Sequence, residues 1–412
     1  VAAGVTLLTY ADRLAGDLAE VRALLVDGPL RGFAGVHLLP FFVPFDGDDT
    51  GFDPVDHATV DPRLGTWADV RALADAGLEV TADLIVNHVS ARSAEFVDWL
   101  ERGPASPHDG MFLTYGTVFP DGAREEDLTA FYRPRPGLPF TAVRRADGTR
   151  RLVWTTFMPS QVDLDVQHPV ARAYLRRVLR ALAAGGVRTV RMDAVGYAVK
   201  TPGTDSFMTP QTLAFVAEAA ALAHDEGLRV LVEVHAHHTQ QLAVAPLVDL
   251  VYDFALPPLL LHALGTGTVD RLDRWLRIRP ANAVTVLDTH DGIGVVDAGP
   301  SGDLPGLLDE EEMAGIFARA AVATGGRSAA ASVCRRSCGC RTRSTRRSST
   351  CSGATRPRSC WPGACRCSCP GSRSSTTSAC SAGTTTWPCT RAPARAATST
   401  GTTARRTRSR RP

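Results

Sequence analysis

Residues 187–197 read V-R-T-V-R-M-D-A-V-G-Y, and the fold turns on how this stretch is read. Its β-branched, apolar character makes Val187–Asp193 a buried strand. Side chains alternate along a strand, so Arg191 and Asp193 share one face while Val190 and Met192 take the other. A guanidinium two residues before a carboxylate is expected to keep Asp193 ionised and its pKa low. Gly196 is expected to supply the sharp turn that follows. A charged pair closing an apolar strand is costly as packing, so the pattern points to chemistry.

Similar runs recur on both sides. Val5–Tyr10, Gly35–Leu39 and Leu78–Asn87 precede it as strands; Leu228–Val234, Leu250–Phe254 and Ala283–Leu287 follow it. Helices are expected at Gly16–Leu25, after the Thr66/Asp69 capping pair until Gly77, and from Pro169 to Gly185-Gly186. Two more fall near Thr212–His224 and at Leu308–Val322. The Pro169 helix carries an apolar stripe at Val170, Tyr174, Val178 and Leu182. This alternation predicts an α/β fold with a parallel sheet, either a (β/α)8 TIM barrel or a doubly wound open sheet. The barrel is the better fit, because no glycine fingerprint for phosphate follows the first strand. The catalytic barrel is expected to span residues 1–88 and 166–326 with seven strands. Residues 89–165, rich in proline and aromatics, are too long for a βα loop and read as an inserted small domain, domain B.

Composition divides the chain in two. Residues 1–326 hold 27 Lys and Arg against all 43 Asp and Glu, a net charge of −16. Residues 327–412 hold 18 Arg, no acid and all ten cysteines, a net charge of +18. No stretch approaches the ~20 apolar residues of a membrane span, and no basic-then-apolar leader opens the chain. A cytoplasmic protein is therefore expected.

In a barrel, the C-terminal strand ends converge on one face. His88, Asp193, Glu233 with His235, and Asp288 to Asp291 all fall at such ends. Any one acid alone reads better as a helix cap or ion-pair partner than as a catalyst. Three acids on successive strand ends, beside Arg191, His88 and His290, read as a site. Asp193, Glu233 and Asp291 suit glycosidic cleavage with retention, which needs a nucleophilic carboxylate and a protonated acid about 5–5.5 Å apart. Val232 and Val234 are expected to desolvate Glu233 and raise its pKa. His235, His237 and His238 look like a metal cluster, but lack the flanking ligands that close a zinc site. They read instead as polar loop residues.

Four short motifs now stand in order: D-L-I-V-N-H (Asp83–His88), R-M-D-A-V (Arg191–Val195), E-V-H (Glu233–His235) and T-H-D (Thr289–Asp291). With them the chain resembles the α-amylase superfamily. T-Y-A-D-R-L, P-F-F-V-P-F-D-G-D-D-T-G-F-D-P, Y-R-P-R-P-G-L-P-F and D-F-A-L-P-P-L-L-L-H-A-L extend the likeness to the sucrose phosphorylase family within it, over most of residues 3–325. The resemblance implies a hexosyltransferase that converts sucrose and phosphate to α-glucose 1-phosphate and fructose. It makes Asp193 the nucleophile, Glu233 the acid/base and Asp291 the transition-state stabiliser. It places Asp49, His88, Arg191 and His290 around the glucose ring, with Phe52 and Phe157 as apolar walls. Tyr132, Arg135 and Tyr197 match the acceptor side, where fructose or phosphate binds, and His235 counts among the substrate-binding residues. Otherwise Arg135 reads as a solvated loop charge and Tyr132 as a packing residue. The likeness implies no metal and no organic cofactor. It leaves open a phosphorylase for sucrose 6′-phosphate or a plain α-glucoside hydrolase. Oligomeric state is not readable.

From Arg327 the chain contains no Leu, Ile, Phe, Met, Tyr, Asp, Glu, Asn, Gln, His or Lys. Such a segment cannot bury enough apolar surface to offset its chain entropy, so disorder is expected. Cys365, Cys367 and Cys369 do not form paired C-x-x-C knuckles, which weakens a metal module. Arg405 to Arg411 suggest a nucleic-acid tail, for which an enzyme of small sugars has no need. The segment reads best as an out-of-frame product. Lys200 is the lone lysine ahead of it, a sign of GC-rich coding, and such codons shifted by one base yield Arg, Ser, Thr, Cys, Ala, Pro and Gly. Cys360–Thr390 is close to a shifted version of a stretch typical of the family. Seven strands leave two sheet edges, so this polypeptide is expected to be unstable and inactive, an opened barrel that at most binds sugar.

Overall fold

The computed structural model describes residues 4–46, 49–132 and 137–326, with the backbone of three short strands at Ser349–Cys351, Arg358–Cys360 and Thr384–Thr385. The rest of 327–412 lies outside the described residues, and so does Arg135. Seven parallel strands form one sheet: β1 (Thr6–Thr9), β2 (Gly35–Leu38), β3 (Glu79–Ile85), β4 (Thr189–Asp193), β5 (Arg229–Val232), β6 (Leu250–Asp253) and β7 (Ala283–Thr285). They pair in chain order, which is the layout the alternation predicts. β1 and β7 stand at the two ends of that order, so among the described residues each pairs with one neighbour in this sheet. Among the described residues no helix is long and apolar enough to cross a membrane.

Alternation builds the core. Val190 and Met192 of β4, with Val230 and Val232 of β5, are fully buried. The helix Pro169–Ala184 lays Tyr174, Val178 and Leu182 into the same core, and Pro210–Asp225 adds Phe215, Val216 and Ala219. Each large aliphatic buried this way contributes about 1.5–3 kcal/mol. Local signals set the ends of these elements. The Thr66 amide donates to Asp69 Oδ2 at 2.8 Å ahead of the helix Trp67–Asp75, and Gly77 follows it at φ 90°. The first expected helix starts later than the sequence suggests. Gly16, at φ 108°, separates a short turn at Ala11–Leu14 from the helix Leu18–Val26, which Asp17 caps.

Two helices, Leu256–Thr266 and Asp270–Ile278, occupy a stretch where the residue pattern predicts no element. The seventh strand ends at Thr285, two residues short of its expected end. Between β3 and β4, the strands His88–Ser90 and Gln161–Asp163 pair antiparallel at the base of the 89–165 segment. A hairpin of Phe140–Arg144 with Arg150–Trp154 lies further along it. Phe96, Trp99, Met111 and Phe112 of this segment join the main core, whereas Leu113, Val118, Phe119 and Trp154 form a separate cluster.

Candidate active site

Register places the two central carboxylates. β4 and β5 run side by side with Arg191 opposite Leu231 and Met192 opposite Val232. The next residues are therefore neighbours: Asp193 ends β4, and the Glu233 amide still donates to the Met192 carbonyl at 3.3 Å. The chain then leaves β4 sharply, though not at the expected glycine. Ala194 takes the left-handed conformation at φ 55°. Gly196 serves a different need, since a Cβ there would lie 2.7 Å from the Phe207 ring.

Arg191, fully buried, joins the acids. Its Nη1 contacts Asp83 Oδ1 and lies 3.0 Å from Asp193 Oδ1, while Nη2 contacts Glu233 Oε1. Asp193 and Glu233 also hydrogen-bond to each other. Their side chains stay 15% and 11% exposed, enough to meet a substrate from the cleft.

The electrostatics differ from the sequence expectation. Burial and the neighbouring Glu233 push the Asp193 carboxyl well above its ordinary value, against the pull of Arg191. Burial acts to raise Glu233 too, but Arg191 and His235 outweigh it and hold Glu233 below its ordinary value. The two acids thus titrate as a pair beneath one guanidinium. Val232 and Val234 are buried as expected, yet the guanidinium contact with Glu233 is stronger than their desolvation.

Asp291 closes the third side. It lies in a turn where its amide donates to Thr289 Oγ1 at 3.2 Å, and its Oδ2 is 3.3 Å from His290 Nε2. The His290 ring stacks on Phe52 with centroids 5.3 Å apart, and Tyr10 meets it edge-on at 6.2 Å. Glu233, His235 and Asp291 each bring one donor atom within 4.8 Å of the others, a set able to ligate a cation. His235 weakens that option. Burial would depress its pKa, but the Asp297 carboxylate raises it well above the ordinary value, so Nε2 carries a proton rather than a free lone pair.

The remaining expected residues line this cleft or buttress it. Asp49 is buried and accepts from the Gln161 amide. His88 Nε2 donates to the Phe52 carbonyl at 2.9 Å, and its ring lies 5.3 Å from Phe157. Burial holds His88 below its ordinary value and so neutral. Tyr132 and Tyr197 lie parallel, 6.2 Å apart, with Phe207 against both and Phe157 against Tyr197. His237 and His238 belong elsewhere: His237 Nε2 donates to the Pro305 carbonyl at 3.1 Å, and His238 packs edge-on to Trp275.

Sequence reasoning missed three supports. Asp83, His37 and Tyr252 stack beneath Arg191, with His37 Nε2 3.2 Å from Asp83 Oδ2 and Tyr252 Oη 3.3 Å from His37 Nδ1. Lys200 binds Asp163, Asn87 and the Tyr197 carbonyl, tying the loop after β4 to the base of the inserted segment. Asp297 backs His235 at 2.9 Å. Lys200 carried a usable signal as the lone lysine, and Asp83 as the first letter of D-L-I-V-N-H; His37, Tyr252 and Asp297 carried none.

Residues 30–245 match the family model described as alpha amylase, catalytic domain. A sucrose phosphorylase of Agrobacterium vitis is 54% identical over 310 residues, covering 74% of this chain and 63% of that protein. One of Bifidobacterium adolescentis is 49% identical over 317 residues, covering 75% and 62%. The crystal structure of sucrose 6F-phosphate phosphorylase from Thermoanaerobacter thermosaccharolyticum superposes with a TM-score of 0.72 at 35% identity, over 79% of this chain and 66% of that one. The chain thus spans under two thirds of the length of these relatives.

Proposed function

The chain belongs to the α-amylase family, and from that premise we propose that its site is built for phosphorolysis of sucrose through a covalent glucosyl-enzyme. One observation carries the reading: Asp193 and Glu233, on adjacent strand ends, meet beneath a single guanidinium and open to one cleft. Asp193 attacks the anomeric carbon, the bond to the glycosidic oxygen breaks, and Glu233 gives its proton to the departing fructose. A phosphate oxygen then attacks the same carbon, Asp193 leaves as a carboxylate, and Glu233 takes the phosphate proton. Attack needs Asp193 ionised and the proton on Glu233, and a sugar carbon between two carboxyls about 5–5.5 Å apart parts the hydrogen bond between them.

Asp291 stabilises positive charge developing on the ring. Asp49, His88, Arg191 and His290 hold the glucose unit between Phe52 and Phe157. Tyr132, Tyr197 and His235 face the acceptor, and Arg135 completes that side by its sequence position. The 89–165 segment acts as the inserted domain that supplies much of this wall. Residues 327–412 are an out-of-frame product, and their composition supports this, as does an alignment that covers 74% of the chain.

Product analysis with sucrose, with and without phosphate, tests the reading on this chain and on a version with the frame restored. Phosphate-dependent release of α-glucose 1-phosphate is expected from the restored version. Glucose release independent of phosphate would mark a hydrolase. A preference for sucrose 6′-phosphate, which the likeness to that enzyme's crystal structure favours, would replace sucrose as the donor.

A further inference from the structure

Behind His235 sits a carboxylate that the three acids' chemistry does not use. Asp297 lies in the short turn Val295–Ala298 and is fully buried. Its Oδ2 accepts from His235 Nδ1 at 2.9 Å, and its Oδ1 has no hydrogen-bond partner among the described residues. A Cβ built on Gly294 would lie 2.3 Å from Asp297 Oδ2 and 3.3 Å from His235 Nδ1. Position 294 therefore has to be small for the carboxylate to reach the ring. On the other side, Phe254 stacks on the imidazole with centroids 4.0 Å apart and planes 14° apart. The ring is fixed in plane and orientation, because the carboxylate engages Nδ1.

That leaves Nε2 to face the reacting groups. It lies 3.5 Å from Glu233 Oε1, too far for a good hydrogen bond, and is buried without another partner among the described residues. Held as a cation, the ring offers an N–H donor beside the acid/base.

We propose that Asp297 is a positioning residue of the acceptor side: it aims His235 Nε2–H at the oxygen that enters next to Glu233, and so favours phosphate over water. This deepens the functional reading above and rests on it. When phosphate attacks, two anions meet, since Glu233 must be ionised to accept the proton. An imidazolium touching both lowers their repulsion, whereas neutral water gains far less from it.

The test uses the frame-restored enzyme with inorganic phosphate and with glucose as probes, and titration calorimetry as the readout. Asp297→Asn keeps the shape but removes the charge. Phosphate affinity is expected to fall at least tenfold and glucose affinity to stay within twofold. Gly294→Ala, which crowds the carboxylate off the ring, is expected to reproduce the loss. Nitrogen NMR of the wild-type imidazole adds a measurement that depends on no variant: His235 is expected to be protonated on both nitrogens at pH 7. Equal losses of phosphate and glucose, an unchanged Asp297→Asn chain, or a neutral His235 in the wild type overturns the inference. Unsubstituted frame-restored enzyme that takes up glucose but no phosphate removes the functional reading, and this inference with it.

Discussion

The imidazole of His290 lies flat against the ring of Phe52, 5.3 Å between centroids and 9° between planes. The pair forms one continuous wall beside Asp291, and Arg191 approaches the same Phe52 ring at 5.5 Å. Aromatic pairs of this kind are worth about 0.5–1.5 kcal/mol beyond their buried area. Phe52→Ala is therefore expected to raise the KM for sucrose up to about tenfold in the frame-restored enzyme, with a smaller change in kcat. Steady-state kinetics check it; an unaltered KM removes Phe52 from the glucose site.

Arg191 serves three carboxylates at once, which a single ammonium cannot reproduce. Arg191→Lys should leave at least one buried acid without its partner, at a cost of about 3–5 kcal/mol. Thermal melting is expected to show a large drop, accompanied by loss of turnover. A variant that melts with the parent argues that the guanidinium is dispensable.

Acid should unfold the protein over a window set by His57. Burial depresses its pKa from 6.5 to about 4, and its Nε2 keeps one bond to the Asp83 carbonyl at 3.2 Å. The unfolded chain thus binds a proton that the folded one refuses between these two values. Stability is full above pH 6.5 and falls as the pH drops toward 4, by about 3 kcal/mol from this residue. Melting temperature against pH, for the parent and for His57→Gln, measures it. Equal slopes in the two proteins exclude His57 as the source.

Restoring the reading frame after codon 320 is expected to raise both the melting temperature and the yield of folded protein. A complete set of barrel strands leaves no open edge between β1 and β7. Resequencing the DNA around codons 320–340 checks the premise. A single clean frame that encodes Arg327–Pro412 as written contradicts it.

What the sequence made legible follows from local physics. The seven strands appear where β-branched runs predict them, because a strand buried on both faces must be apolar along its length. Asp193 and Glu233 were readable as strand-end residues, and the parallel register makes them neighbours. The contact of the Arg191 guanidinium with Glu233 as well as Asp193 was not readable, a matter of ångströms that no spacing encodes. Nor was Asp297, which meets His235 across 62 residues of chain. Gly196 shows the same limit: its role is to admit Phe207, which only tertiary packing brings there.

The account stands or falls on Asp193 as the atom donor to sugar. The Glu233→Gln variant of the frame-restored enzyme, incubated with α-glucosyl fluoride, needs no acid to expel fluoride and lacks the base for turnover. Intact-mass and peptide analysis is expected to find one anhydroglucose unit, carried by the peptide that contains Asp193. The same unit on Glu233 or Asp291, or no adduct while fluoride is still released, contradicts it.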